Sequence, residues 1–152
     1  MTEENPTQQL ASLRSAYSGR LLTEAADTAP FLTDWRGKWT GAALAVAQPG
    51  DAAEVARLLA WCQAHDVPVV PQGGNTGLSG GSVPGPGGRL PLLLSLTRLN
   101  KIRSIDPLNN TLVAEAGVTL QQVQQAAFDA GRLFPLSLAA EGSCTIGGNL
   151  AS

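Results

Sequence analysis

The feature that most limits this chain is a glycine-rich stretch, PQGGNTGLSGGSVPGPGG at residues 71–88, which carries eight glycines. Glycine loses more backbone entropy on ordering than any other residue, so such a loop needs a reason beyond connection. The stretch stands between two short apolar runs, Val67 to Val70 and Pro91 to Leu96, that read as strands. A loop pinned in this way suits a close approach of backbone to a ligand, with N–H groups turned inward and some positions at positive φ. Successive inward amides make an anion nest, and a phosphate or pyrophosphate is its natural guest. A flexible linker would instead be serine-rich and would separate domains.

The loop also excludes particular phosphate ligands. No Lys or Arg lies between Arg57 and Arg89, and the G-x-x-x-x-G-K-[ST] pattern is missing. With no lysine to reach a γ-phosphate, triphosphate hydrolysis is not expected. The dinucleotide pattern G-x-G-x-x-G is missing too, and Val83-Pro84-Gly85-Pro86 forbids the helix that should open after it. The loop is therefore expected to hold its anion with main-chain dipoles alone, as suits a diphosphate that undergoes no chemistry.

Patterning around the loop predicts a mixed α/β arrangement. Pro6 to Tyr17 reads as a helix with Leu10, Leu13 and Tyr17 on one side. A weaker stretch and the unusual segment DWRGKWTG (34–41) follow. Ala42 to Ala47 reads as a buried strand, and Asp51 to Ala64 as a helix. Asp51 and Glu54 would form its capping box, and Val55, Leu58, Leu59 and Cys62 its apolar stripe. Strand, helix and strand then make a βαβ unit, with Pro91 to Leu96 as a third strand. Lys101–Ile105 and Thr111–Ala116 flank turn residues as a hairpin with one wet face. Thr119 and Gln122 cap a further helix that Gly131 closes. A second glycine cluster begins at Gly142. The expected divisions are an N-terminal helical segment (1–41), a small parallel subdomain (42–97) and an antiparallel α+β subdomain (98–152).

Composition narrows the function classes. With 43% hydrophobic and 14% charged residues the chain can bury a core. A net charge of −2 offers no basic stripe for nucleic acid. No apolar run approaches the roughly 20 residues a membrane-spanning helix needs. Two cysteines and one histidine cannot complete a zinc site alone, and the expected compartment is reducing and cytoplasmic.

The run Val69 to Leu78, followed by Gly80-Gly81-Ser82-Val83-Pro84, resembles the diphosphate loop of the FAD-linked oxidases and dehydrogenases of the PCMH (vanillyl-alcohol oxidase) type. The cluster Gly142 to Ala151 is similar to the second flavin loop of the same proteins, and Asp34-Trp35-Arg36-Gly37 and Pro135-Leu136 fit as well. Within that family the two loops look most like those of the D-2-hydroxyacid dehydrogenases and the FAD subunit of glycolate oxidase. The resemblance implies a PCMH-type α+β fold. Gln72, Gly73, Gly74, Asn75, Thr76, Gly77, Leu78 and Ser82 would wrap the diphosphate and ribityl chain. Pro135, Gly142, Ser143, Thr145, Ile146, Gly148 and Asn149 would line the isoalloxazine and the adenine side. A histidine takes the place of Asn75 in relatives with covalent flavin, so the FAD here is expected to be non-covalent.

The implied activity is oxidation of a small 2-hydroxy acid (D-lactate, glycolate or D-2-hydroxyglutarate) with hydride transfer to flavin. The substrate residues and base of that family come largely from a C-terminal cap domain. The chain reads as the N-terminal part of a longer protein, expected to bind FAD weakly and turn over nothing by itself. A non-catalytic nucleotide- or diphosphate-binding module is the competing class. No catalytic residue, metal ligand or electron acceptor is assigned. Glu115 and Glu141 qualify as bases only by residue type, Cys144 and Cys62 read as packing residues, and His65 as a helix cap. Trp35, Arg36, Lys38 and Trp39 read as packing of the N-terminal segment onto the flavin subdomain.

Overall fold

The computed structural model describes residues 5–151. Helix α1 (Pro6–Ala16) starts where Asn5 accepts the Thr7 N–H, with proline at its first position. It ends at Tyr17, and Leu13 and Tyr17 on its inner side are buried. Strand β1 (Arg20–Leu22) and helix α2 (Ala25–Leu32) follow, then β2 (Ala45–Gln48), α3 (Ala52–Ala64), β3 (Val69–Gln72) and β4 (Leu92–Ser95).

These strands form one sheet in the order β1-β2-β4-β3. β4 pairs in parallel with β2 on one side and β3 on the other, while β1 adds an antiparallel edge. Strand β1 was not anticipated; three residues offer too short a pattern to read. Every residue of β2 and β4 is buried, as expected of strands covered on both faces. β2 begins three residues later than the apolar run, and β3 extends two residues into the glycine stretch.

The core lies where α1 and α3 meet β2 and β4, around Leu13, Leu58, Trp61, Leu92 and Leu94. Two expectations for α3 need correction. Asp51 does accept the Glu54 N–H at 2.7 Å, but the Glu54 carboxylate does not close a box. It accepts instead from the Gly50 N–H (2.7 Å) and the Tyr17 hydroxyl (3.1 Å), which ties α3 to α1. Leu59 is exposed, and Trp61 takes the inward position, donating its indole N–H to Ser12. His65 ends α3 as anticipated, stacked on Trp61 with Nε2 3.3 Å from the Ser12 hydroxyl.

The second half holds the hairpin β5 (Ile102–Asp106) and β6 (Thr111–Ala114), then α4 (Leu120–Asp129). Both halves of the Thr119–Gln122 capping box are present, and Gly131 closes α4 at φ 68°. The second glycine cluster was expected as loop throughout, but its end is a short helix, α5 (Ile146–Ala151). No helix among the described residues is long and apolar enough to cross a membrane.

Leu92, fully buried on the central strand, should be the most sensitive position of this layer. Leu92→Ala should cost about 2–5 kcal/mol and Leu59→Ala under about 1. Urea unfolding compares the two, and equal costs would contradict the assignment of faces.

Candidate functional site

The glycine loop leaves the carboxyl end of β3, the edge at which open parallel sheets bind ligands, and returns to the amino end of β4. It contains no helix. Its side chains are spent on shaping it. Gln72 is buried at the loop's entry, and its Nε2 donates to the carbonyls of Phe31 and Ser82, both at 2.8 Å. The loop's entry is thereby joined to Ser82, ten residues further on. Asn75 sits at φ 53°, a left-handed conformation that asparagine tolerates better than most residues. Its Nδ2 donates to the Thr33 carbonyl and its Oδ1 accepts from the Ser82 hydroxyl, both at 2.8 Å.

The main chain is used differently. No N–H from Gly73 through Ser82 donates a hydrogen bond to any described residue. Main-chain donors are obligatory hydrogen-bonding groups, so water or a ligand must meet this row. Gly77 and Gly81 have open space where a side chain would stand, so a ligand can come against bare backbone there.

The second cluster closes onto the first. A methyl group at Gly74 would be driven into the Ser143 carbonyl oxygen, and one at Gly73 into the Thr145 hydroxyl. The chain around 116–120 holds the second cluster in place. Leu120 N–H donates to the Cys144 carbonyl (3.1 Å), and the Ile146 and Gly147 N–H groups donate to Val118 (2.8 Å) and Ala116 (2.9 Å). Gly117 in turn donates to Leu99 just beyond β4, so both loops are referenced to one sheet.

Of the residues expected in the second loop, Ser143 and Thr145 are therefore brought against Gly73 and Gly74. Gly142 is exposed, with a site for a side chain 3.4 Å from Gln121 Oε1. Gly148 and Asn149 lie in α5, where the Asn149 amide is 3.7 Å from the buried Cys144 sulfur. Ile146 lines an apolar cavity of about 380 Å³ under the hairpin, with Leu112, Val123 and Phe134. Pro135 is exposed in the irregular stretch after α4.

The loop's own sequence has no cation, yet Arg36 Nη2 donates to the Leu78 carbonyl at 2.9 Å. Forty-two residues separate the pair, and no local signal joined them. Trp39 lies over Gly80 as the packing reading required, whereas Trp35 is 67% exposed.

Asp34 builds the turn that presents Arg36. Its buried carboxylate accepts from the N–H groups of Trp39 (2.7 Å), Lys38 (2.7 Å) and Arg36 (3.3 Å). Those bonds, Trp39's foremost, hold the carboxyl below the usual range. The two candidate bases are tied up as well. Glu115 accepts from the Lys101 N–H and the Arg103 guanidinium, and Glu141 from the Ser137 hydroxyl and the Leu138 N–H. Both carboxyls are held low, which suits structural anions rather than proton acceptors.

A family model described as an FAD binding domain matches residues 43–152. The chain belongs to that family. The cofactor of this FAD-binding domain is thus FAD, and the loop chemistry fits it: a row of unpaired amides suits a diphosphate. D-2-hydroxyglutarate dehydrogenase of Xanthomonas citri pv. viticola is 44% identical over 145 residues, covering 95% of this chain and 30% of that protein. Among solved structures, alkyldihydroxyacetonephosphate synthase superposes with a TM-score of 0.84 at 18% identity, over 98% of this chain and 29% of that one. p-Cresol methylhydroxylase does so at 0.74 and 21%, over 95% and 28%. The FAD-binding domain therefore has the PCMH-type fold. The chain spans between about a fifth and a third of the length of the relatives it matches.

Two measurements test this geometry. Gly74→Ala should destabilise the chain by about 1–3 kcal/mol through overpacking, whereas Gly77→Ala should stay within about 0.5. Urea unfolding that ranks them equally would refute the contact between the clusters. Asp34, with its lowered pKa, stabilises fully above the unfolded value of about 3.9 and loses that contribution as pH falls through the folded value. Asp34→Asn should therefore be less stable than the parent at pH 7, with the gap closing in acid; a pH-independent gap would contradict the assignment.

Proposed function

We propose that the chain is the FAD-binding portion of a flavin-dependent dehydrogenase acting on a small 2-hydroxy acid of the D-2-hydroxyglutarate, D-lactate or glycolate type. The observation that carries the cofactor site is the row of unpaired amides from Gly73 to Ser82, closed on one side by Ser143 and Thr145. In this reading the main chain of 73–78 binds the diphosphate, while Gln72, Asn75 and Ser82 orient that main chain. Gly142, Gly148, Asn149, Ile146 and Pro135 would serve the flavin and adenine ends.

The bound flavin supplies two-electron redox chemistry; the residues of this chain supply binding, orientation and electrostatics. The substrate class rests on the relative's name and identity. Residues 1–41, 42–97 and 98–152 act in this proposal as an N-terminal segment and two subdomains that flank the cofactor. Two free, buried cysteines agree with a reducing, cytoplasmic setting.

The cofactor is proposed to be non-covalent. The Asn75 amide is no nucleophile and is engaged on both sides, and the Cys144 thiol is buried. A second reading, a diphosphate-binding module without redox chemistry of its own, draws on Glu115 and Glu141 both being held in structural bonds.

Titration with FAD, ADP and FMN separates the readings. The dehydrogenase portion should prefer FAD over either by about tenfold or more, since each shorter ligand forfeits contacts at one end. ADP binding as tight as FAD favours the module. After acid precipitation of the FAD complex the colour should remain in the supernatant; a yellow pellet would refute non-covalent binding.

A further inference from the structure

Residues 31–41 form a tight turn of their own. The Asp34 N–H donates to the Trp39 carbonyl and the Gly41 N–H to that of Leu32, both at 2.9 Å, with Thr33 and Thr40 bridged between them. This turn lies along the glycine loop base to base and tip to tip. At the base, Phe31 and Thr33 receive the Gln72 and Asn75 amides. On the other leg, Gly41 meets Pro84 so closely that a side chain there would strike the Pro84 carbonyl. Trp39 covers Gly80, where an added methyl would lie 3.5 Å from the indole. At the tip stands Arg36, the one Lys or Arg bonded to residues 72–84 among the described residues.

All of the turn precedes residue 43, where the family match begins. We infer that residues 31–41 are a positioning brace that holds the glycine loop in its binding shape before the cofactor arrives, with Arg36 fixing the loop's tip. The physical ground is preorganisation. A loop with this much glycine has a large ordering cost, and a loop ordered in advance does not charge that cost to the ligand. Arg36 suits the task because its planar fork reaches a carbonyl while keeping further donors and its charge beside an anion site. Arg36 is thus a positioning residue, acting through the Leu78 carbonyl. Its part in FAD binding rests on the function proposed above, whereas its hold on the loop does not.

Arg36→Met keeps the aliphatic stem and removes the fork. Because the side chain is exposed, the urea midpoint should not move. NMR order parameters measured without added FAD should be near 0.85 at Leu78 to Gly80 in the unsubstituted chain, and below about 0.6 in the variant. FAD affinity should fall about tenfold, with Arg36→Lys regaining part of it through a single donor. A tip already mobile in the unsubstituted chain, or unchanged by the substitution, overturns the brace, as does an affinity within twofold of the parent. If the unsubstituted chain binds no FAD, the proposed function fails and the order parameters alone decide the brace.

Discussion

Everything in this molecule turns on a row of main-chain N–H groups that the fold does not pair. Backbone donors are nearly always satisfied in native proteins, and an unmet donor away from water costs on the order of 1–3 kcal/mol. Leaving the stretch from Gly73 to Ser82 unpaired is coherent only if something outside the chain completes it. The neighbouring side chains support that division of labour. Gln72, Asn75 and Ser82 are polar groups beside a proposed anion site, yet their bonds go to the chain itself. They shape the loop, and the backbone is left for the ligand.

The same economy explains the glycines. At Gly73 and Gly74 the absent side chain lets the two clusters touch, because Thr145 and Ser143 occupy the space. At Gly77 the space is open, and the benefit falls to a ligand instead. One residue type thus serves two purposes within five positions. Electrostatics follow the same pattern: Asp34, Glu115 and Glu141 are all held low by the donors they accept from, Asp34 and Glu141 fastening turns and Glu115 tying the two sides of the hairpin.

Much of this was legible in the sequence because its signals are local. The capping residues Asp51 and Thr119, the fully buried β4 and the Gly131 stop each act within one turn or strand, and each stands where the pattern indicated. What escaped depends on pairs distant in the chain. Arg36 meets Leu78, Glu54 meets Tyr17 instead of closing its own box, and β1 exists through its pairing with β2. The α5 helix escaped for another reason. Ile146-Gly147-Gly148-Asn149 carries poor helix formers, and the helix is imposed by the bonds that Ile146 and Gly147 make to 116–118. The direct contact of the two glycine clusters, Gly73 and Gly74 against Thr145 and Ser143, joins residues about seventy apart and could be named only from the fold.

The central claim is that main-chain amides of the first loop meet the FAD diphosphate. The most direct measurement follows the amide ¹H–¹⁵N signals of the intact chain as FAD is added. The account predicts that signals from Gly73 to Ser82 move downfield together with those of Ser143 and Thr145, and that ADP moves the first set. Saturating FAD that leaves the Gly73 to Ser82 signals in place, while shifting others, would contradict it.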